Sequence, residues 1–406
     1  MRLKPALLVF FIAATGLACT AAVLTDSAIL NWMTLQDSAC EPGSIRQLKR
    51  TPLRLSFALP ASTLSNAQRT SLISILNIPE GSRFSDVLHA ARACNALTGS
   101  ACTHRYLEVV KSIESNQLWF GGRSSFTTTS HGVSVRTSAD SVSQAHFGHA
   151  LSVLAESGVP LEASLGYLGR EVRVADLLAD DIMMFDLGNE IEWSCLAYAL
   201  YLPPQRNWKN RFGEEFDFDK VVTFLMSRPF EAASCSGTHA LYTLSAIVSA
   251  DNKRVVLNRS IRSKLDAYLG RIIEELMTVQ RPDGAWDSDW YYRLVNTAWY
   301  KDIASGELEP PLSVRAARQW YDSVPRGDQN EISLLLVTGH HLEWIAILPR
   351  ETFPIDNGVV LKANAYLMRA LERVAPETIK SSFCPSSHAA RILLMSAVAS
   401  NTAGSL

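Results

Sequence analysis

Thr238-His239-Ala240-Leu241-Tyr242-Thr243-Leu244-Ser245-Ala246-Ile247-Val248 opens on a histidine and then runs apolar on nearly every side. A helix with that surface is enclosed nearly all round. The opening recurs as Leu88-His89-Ala90-Ala91, Gly148-His149-Ala150-Leu151, Gly339-His340-His341-Leu342 and Ser387-His388-Ala389-Ala390, each heading an apolar stretch. Two weaker copies, Trp193-Ser194-Cys195-Leu196 and Val295-Asn296-Thr297-Ala298, carry serine and asparagine at the histidine's place. The repeated position runs 89, 149, 194, 239, 296, 340, 388, at intervals of 60, 45, 45, 57, 44 and 48 residues. A helix, a turn, a second helix and a return loop take about that many residues, so each repeat reads as one helical hairpin.

Agreement extends to the connections. Gly169-Arg170-Glu171-Val172-Arg173-Val174-Ala175-Asp176-Leu177-Leu178 aligns with Gly213-Glu214-Glu215-Phe216-Asp217-Phe218-Asp219-Lys220-Val221-Val222, 44 residues on. The partner segments are amphipathic. From Asn258 to Gln280 the positions Ile261, Leu265, Leu269, Ile272, Ile273 and Leu276 form one stripe, with Arg262, Lys264, Arg271 and Glu274 elsewhere, and Leu361 to Val374 repeats the pattern. Enclosed helices as an inner ring and amphipathic ones as an outer ring predict an all-α fold, an α/α toroid with six or seven inner helices.

The 406 residues are 47% hydrophobic and 19% charged, with a net charge of -2. That composition excludes a nucleic-acid footprint and long disorder. Arg2 and Lys4 precede an uncharged stretch from Pro5 to Thr25 whose apolar density is greatest at its front. Residues 1–25 therefore read as a signal peptide or a membrane anchor, and either one exports the remainder to the cell envelope, with membrane attachment if the leader is uncleaved. Residues 26–83 read as an N-terminal arm and 84–406 as the toroid. Seven cysteines, at 19, 40, 94, 102, 195, 235 and 384, are too sparse for a disulfide-built fold, and export permits a Cys94–Cys102 bridge.

Leu276-Met277-Thr278-Val279-Gln280-Arg281-Pro282-Asp283-Gly284-Ala285-Trp286 resembles the QW motif of the squalene-hopene and oxidosqualene cyclases, whose α/α-toroid fold protein prenyltransferases share. The resemblance implies a structural role. Glutamine ends one helix and bonds toward the start of the next, tryptophan packs on it and glycine makes the turn. The motif occurs once, and the resemblance does not extend to chemistry. No Asp-x-Asp-Asp acid is present, since Asp287-Ser288-Asp289-Trp290 lacks the final aspartate, and no local pattern gives the prenyltransferase zinc triad. Asp180, Asp181 and Asp186 superficially resemble a magnesium motif. On a helix Asp186 lies about 600° around from Asp180 and about 500° from Asp181, so the set reads as a solvated outer face.

If the inner helices run parallel, their amino ends bring His149, Ser194, His239, Asn296, His340 and His388 around one cavity. The helix dipole there favours neutral imidazoles, able to act as bases, ligands or acceptors, and attracts an anionic group. The candidate catalytic residues are His149, His239, Asn296, His340 and His388. Cys235-Ser236-Gly237-Thr238-His239 and Cys384-Pro385-Ser386-Ser387-His388 suggest a shared zinc site. In a six-membered ring with axes about 9 Å apart they fall on opposite sides, about 18 Å across, and cannot share one ion. The better candidate for a divalent metal such as zinc is the arc His149, His340 and His388 with Glu343, which lies one turn below His340. A ring using His89 and dropping His388 would break that arc. Trp193, Trp286, Trp290, Trp299 and Trp344 lie near the inner-helix starts, as packing or as an aromatic lining. Two functions fit: an exported toroid enzyme acting on a lipid, isoprenoid or polysaccharide, or a noncatalytic envelope scaffold binding a small molecule, lipid or glycan.

Overall fold

The computed structural model describes residues 45–60, 62, 64–78, 82–94, 118–120, 123–166, 169, 171–204, 207–295, 297–303 and 326–403. The leader, Cys102 and Asn296 lie outside them. The fold is predominantly helical. In chain order the helices are α1 (Asn66–Ile75), α2 (Phe84–Cys94), α3 (His149–Glu156), α4 (Val174–Met183), α5 (Glu192–Tyr201), α6 (Phe218–Ser227), α7 (Thr238–Lys253), α8 (Arg259–Val279), α9 (Tyr292–Val295), α10 (Ala298–Ile303), α11 (Arg326–Ile347), α12 (Asn357–Arg373), α13 (Pro376–Ser381) and α14 (Phe383–Ala403). Three two-stranded antiparallel sheets add β1 (Leu118–Phe120) with β2 (Arg123–Ser124), β3 (Phe126–Thr128) with β4 (Val133–Val135), and β5 (Trp208–Lys209) with β6 (Glu215–Phe216). The all-helical expectation did not include these hairpins.

Six helices pack in a circuit: α2 on α3, α3 on α5, α5 on α7, α7 on α11, α11 on α14, and α14 back on α2. Their side chains are enclosed as the apolar runs require. Every residue of α5, and every residue of α7 from Thr238 to Ala250, is buried. The partner helices bury one stripe only; on α8 it is Leu265, Tyr268, Leu269, Ile272, Ile273 and Leu276. Close approach of α11 to α14 requires Gly339, where an added Cβ would stand 3.2 Å from both the Ala389 nitrogen and the His388 Cβ.

The arm binds the carboxyl-terminal side of this circuit. Its Arg50 carbonyl accepts from the Leu161 amide just beyond α3, and the Leu53 amide donates to the Leu200 carbonyl of α5 at 3.0 Å. Lys253, ending α7, donates to the Arg54 carbonyl. The Ala58 amide then donates to Ala346 of α11, and the Ser62 amide to Ser396 of α14 at 3.2 Å. The arm thus visits the helices in circuit order, and at Leu200 and Ala346 it donates to carbonyls in the last turn of a helix, groups that the helix leaves without an internal partner.

The 276–286 segment has the geometry its resemblance implies. Gln280 caps the end of α8, and its side-chain amide donates to the Gly284 carbonyl at 3.0 Å and to the Val359 carbonyl, in the first turn of α12, at 2.9 Å. Trp286 is fully buried and its indole N–H donates to the Leu276 carbonyl at 2.9 Å. Gly284 has a φ of 102°, and a Cβ there would stand 2.3 Å from the Lys362 carbonyl oxygen, so only glycine makes this turn.

The Asp180, Asp181, Asp186 expectation is corrected. Asp186 is exposed, but Asp180 and Asp181 are buried. β4 packs on α4, and Thr129, in the β3–β4 turn, donates to Asp180 at 2.5 Å. From the other side the Tyr198 hydroxyl donates to Asp181 at 2.6 Å. The hairpin covers a face that helical periodicity alone left to solvent.

Candidate metal centre

Six histidines form a closed ring of imidazole contacts. Around it the centroid separations are 4.8 Å for His89–His149, 5.7 Å for His149–His146, 4.7 Å for His146–His239, 4.8 Å for His239–His340, 3.8 Å for His340–His388 and 5.1 Å for His388–His89. All six are buried. Of the sequence candidates His149, His239, His340 and His388 are brought together, Asn296 lies outside the described residues, and His89 joins them between His388 and His149. The expected arc of His149, His340 and His388 is therefore interrupted by His89, and the two proposed rings merge into one holding both His89 and His388. Trp193 fills the place expected for Ser194, within 6.0 Å of His146, 4.7 Å of His149 and 4.9 Å of His239.

The opposite placement of the two cysteine–histidine segments is corrected too. The circuit closes without the 296 segment, so α7 and α14 both flank α11. Three groups put their ligand atoms within 4.8 Å of one another across those helices: Cys235, His239 and His340; His340, Glu343 and His388; and His89, Cys384 and His388. A fourth group is His146, Glu190 and His239.

Two glutamates orient four of the rings. The Glu190 carboxylate accepts from Nδ1 of His146 at 2.8 Å and of His239 at 2.9 Å. Glu343 Oε2 stands 3.0 Å from His388 Nδ1 and 3.6 Å from His340 Nδ1. The opposite nitrogens, Nε2 of His239, His340 and His388, are buried and unpartnered among the described residues, as are both nitrogens of His149. A carboxylate on Nδ1 fixes the tautomer that leaves the Nε2 lone pair free, the usual outer-shell arrangement of a metal-ligating histidine.

Burial pushes the imidazoles down. It brings His239 to about 3 despite the opposing Glu190 bond, and lowers His340 and His388 against the pull of Glu343. His89 and His149 fall well below the ordinary range through burial and the neighbouring histidines. The helix-terminus explanation does not hold for His340, which lies in the interior of α11 (Arg326–Ile347). Desolvation, the largest effect on each of these five rings, keeps them neutral and able to donate a lone pair.

One turn deeper on the same helices lies a second polar layer. Arg92 donates to Glu156 at 2.8 Å and to Glu343 at 3.0 Å; Arg391 donates to Glu343 at 2.9 Å and to Glu156 at 3.1 Å. The Tyr242 hydroxyl also donates to Glu156. The Arg92 guanidinium lies 4.9 Å from the Trp193 ring and 4.5 Å from the Tyr242 ring. Burial would raise Glu343, but the Arg92 and Arg391 guanidiniums hold it well below the carboxylate range. For Glu156 burial is likewise outweighed by Arg92 and Arg391. Glu192 is paired with Arg228 at 3.0 Å.

Glu190 differs from these three carboxylates. It is buried, and among the described residues its ion-pair partners are two imidazoles rather than an arginine. A buried carboxylate needs a counter-charge. Either a proton held on the imidazole side or a cation bound at the far nitrogens supplies one.

Sequence reading missed His146, Glu190 and, apart from Glu343, the charged layer. His146 and His149 form a closely spaced histidine pair just ahead of α3, a visible signal. Arg92, Tyr242, Glu343 and Arg391 each lie three residues after a repeated histidine, so reading the repeat one helical turn on would have drawn that layer. Of the tryptophans, Trp286, Trp290 and Trp344 surround His341 instead, with centroids 5.5, 4.7 and 6.1 Å away. Trp299 packs on Tyr268 at 5.8 Å. Cys94 is buried in α2. No family model, no curated protein and no solved structure matches the chain.

Proposed function

We propose that the chain is an exported α/α toroid that holds a divalent transition-metal ion in its histidine ring and uses it as a Lewis acid on a small-molecule, lipid or glycan substrate. The cyclic packing of the six apolar helices, the arm beneath them and the Gln280 geometry support the toroid. The basic and apolar leader supports export. One observation carries the metal: four histidines have Nδ1 facing just two carboxylates, and three of those rings leave a buried Nε2 unpartnered. Imidazole with a sparing use of carboxylate and thiol suits zinc and its neighbours rather than magnesium or calcium. Three protein ligands would leave a fourth position for water or a substrate oxygen.

The Arg92–Glu156–Arg391–Glu343 network favours a second reading, a noncatalytic scaffold whose core is held by its own ion pairs. Elemental analysis of the purified full chain after dialysis against metal-free buffer separates them. The metal reading expects at least one zinc or neighbouring metal ion per chain, reduced in His239→Ala and His340→Ala. A metal-free protein that takes up no zinc, cobalt or copper on titration overturns it.

A further inference from the structure

Cys235-Ser236-Gly237-Thr238-His239 and Cys384-Pro385-Ser386-Ser387-His388 both set a cysteine four residues before the repeated histidine. Each thiol and imidazole converge with the histidine of the next helix in the circuit. Cys235 and His239 meet His340 of α11, and Cys384 and His388 meet His89 of α2, the ligand atoms in each group lying within 4.8 Å. The same construction thus occurs twice, two helices apart. We propose, resting on the metal reading above, that the protein carries two pseudo-equivalent sites for zinc-class divalent ions, each built from one cysteine and two histidines: Cys235, His239 and His340 in the first, Cys384, His388 and His89 in the second.

Four observations support the pair. The Nε2 atoms of His239, His340 and His388, and Nδ1 of His89, are buried without a hydrogen-bond partner among the described residues. Glu190 holds His239, and Glu343 reaches both His340 and His388, so one carboxylate orients a ligand in each site. Cys235 and Ser236 have φ values of 48° and 57°, left-handed backbone that non-glycine residues rarely adopt. Such local strain gathers at ligand sites, and here the Trp290 indole holds the Ser236 carbonyl at 3.1 Å. Finally, the ligand spacing needs little adjustment. A tetrahedral ion with Zn–S near 2.3 Å and Zn–N near 2.0–2.1 Å places its ligand atoms roughly 3.3–3.6 Å apart, within reach of side-chain rotation.

Burial pushes both thiols up, so each enters the site protonated and loses its proton on binding. Each ion exchanges one thiol proton for one metal–sulfur bond, with no change of oxidation state. The thiolate and two neutral imidazoles leave each site with a single positive charge, and beside His239 that charge answers Glu190.

Cobalt(II) alone is the probe, titrated into the metal-free full chain. We expect two ions per chain, both contributing thiolate-to-cobalt charge-transfer absorption. Cys235→Ser and Cys384→Ser should each halve that absorption, and the double variant should abolish it. A readout on the unaltered chain accompanies these: zinc should protect Cys235 and Cys384, but not Cys195, from alkylation followed by mass spectrometry. One ion per chain, or two ions with absorption and protection absent, overturns the paired thiolate sites while leaving a histidine metal centre. No bound cobalt or zinc overturns both readings.

Discussion

The two polar layers at the middle of the molecule sit one helical turn apart and are built on opposite principles. In the deeper layer Arg92, Glu156, Arg391 and Glu343 form a closed four-membered cycle of ion pairs between 2.8 and 3.1 Å, with Arg92 Nη2 and Arg391 Nε left without a hydrogen-bond partner among the described residues. In the histidine layer the imidazoles touch in a ring, yet Nε2 of His149, His239, His340 and His388 has no partner among the described residues. Buried polar groups cost free energy unless satisfied. A layer whose charges pair with one another holds the fold, and one that leaves several lone pairs converging is arranged to receive something from outside.

Opening the closed layer should have the largest effect. Glu156→Ala leaves Arg92 and Arg391 each short of a carboxylate, and breaking such a buried network costs about 3–5 kcal/mol. Urea denaturation should show it, and a loss below about 1 kcal/mol would mean that the deeper layer is not self-sustaining. The open layer should respond to ligand instead. Zinc at 100 times its dissociation constant should stabilise the metal-free chain by about 2.7 kcal/mol. His340→Ala should reduce that gain and chelation with EDTA should remove it, and calorimetry with and without zinc reads both.

Asp181 sharpens the contrast as a buried carboxylate facing a hydroxyl instead of a cation. Burial raises it from 3.8 to about 7, against the Tyr198 hydrogen bond. The folded state therefore keeps a proton that the unfolded chain releases, so the contribution of Asp181 to stability is greatest below about pH 4, falls as pH rises and levels off above about 7. Asp181→Asn should flatten that fall and be more stable at pH 8 by on the order of 2 kcal/mol. Equal slopes for the two proteins in denaturation at pH 4 to 8 would refute it. The smallest effect lies outside both layers. Gln280→Ala removes two side-chain hydrogen bonds at the end of α8, one within the following turn and one to α12, costing about 1–2 kcal/mol, and should leave metal content unchanged. A change in metal content would mean that the outer helices help set the ring.

Much of this was readable locally. The enclosed stretch 240–248, the stripe from 265 to 276 and the position of Glu343 under His340 follow from a period of 3.6 residues, a property of neighbours in the chain. Asp180 and Asp181 escaped it because a hairpin more than 40 residues away covers them. The place of Cys384 escaped it because counting seven repeated positions does not say which of them enter the circuit.

By itself the sequence determined which helices are enclosed, which expose one face, and where a histidine recurs, because burial and periodicity are written residue by residue. Only the tertiary structure decided that α14 returns to α2, that His146 completes the ring, and that Glu190 and Glu343 each serve histidines from two different segments of the chain. Those choices depend on contacts between residues far apart in the chain. The free energy of such contacts exists only once the helices have come together.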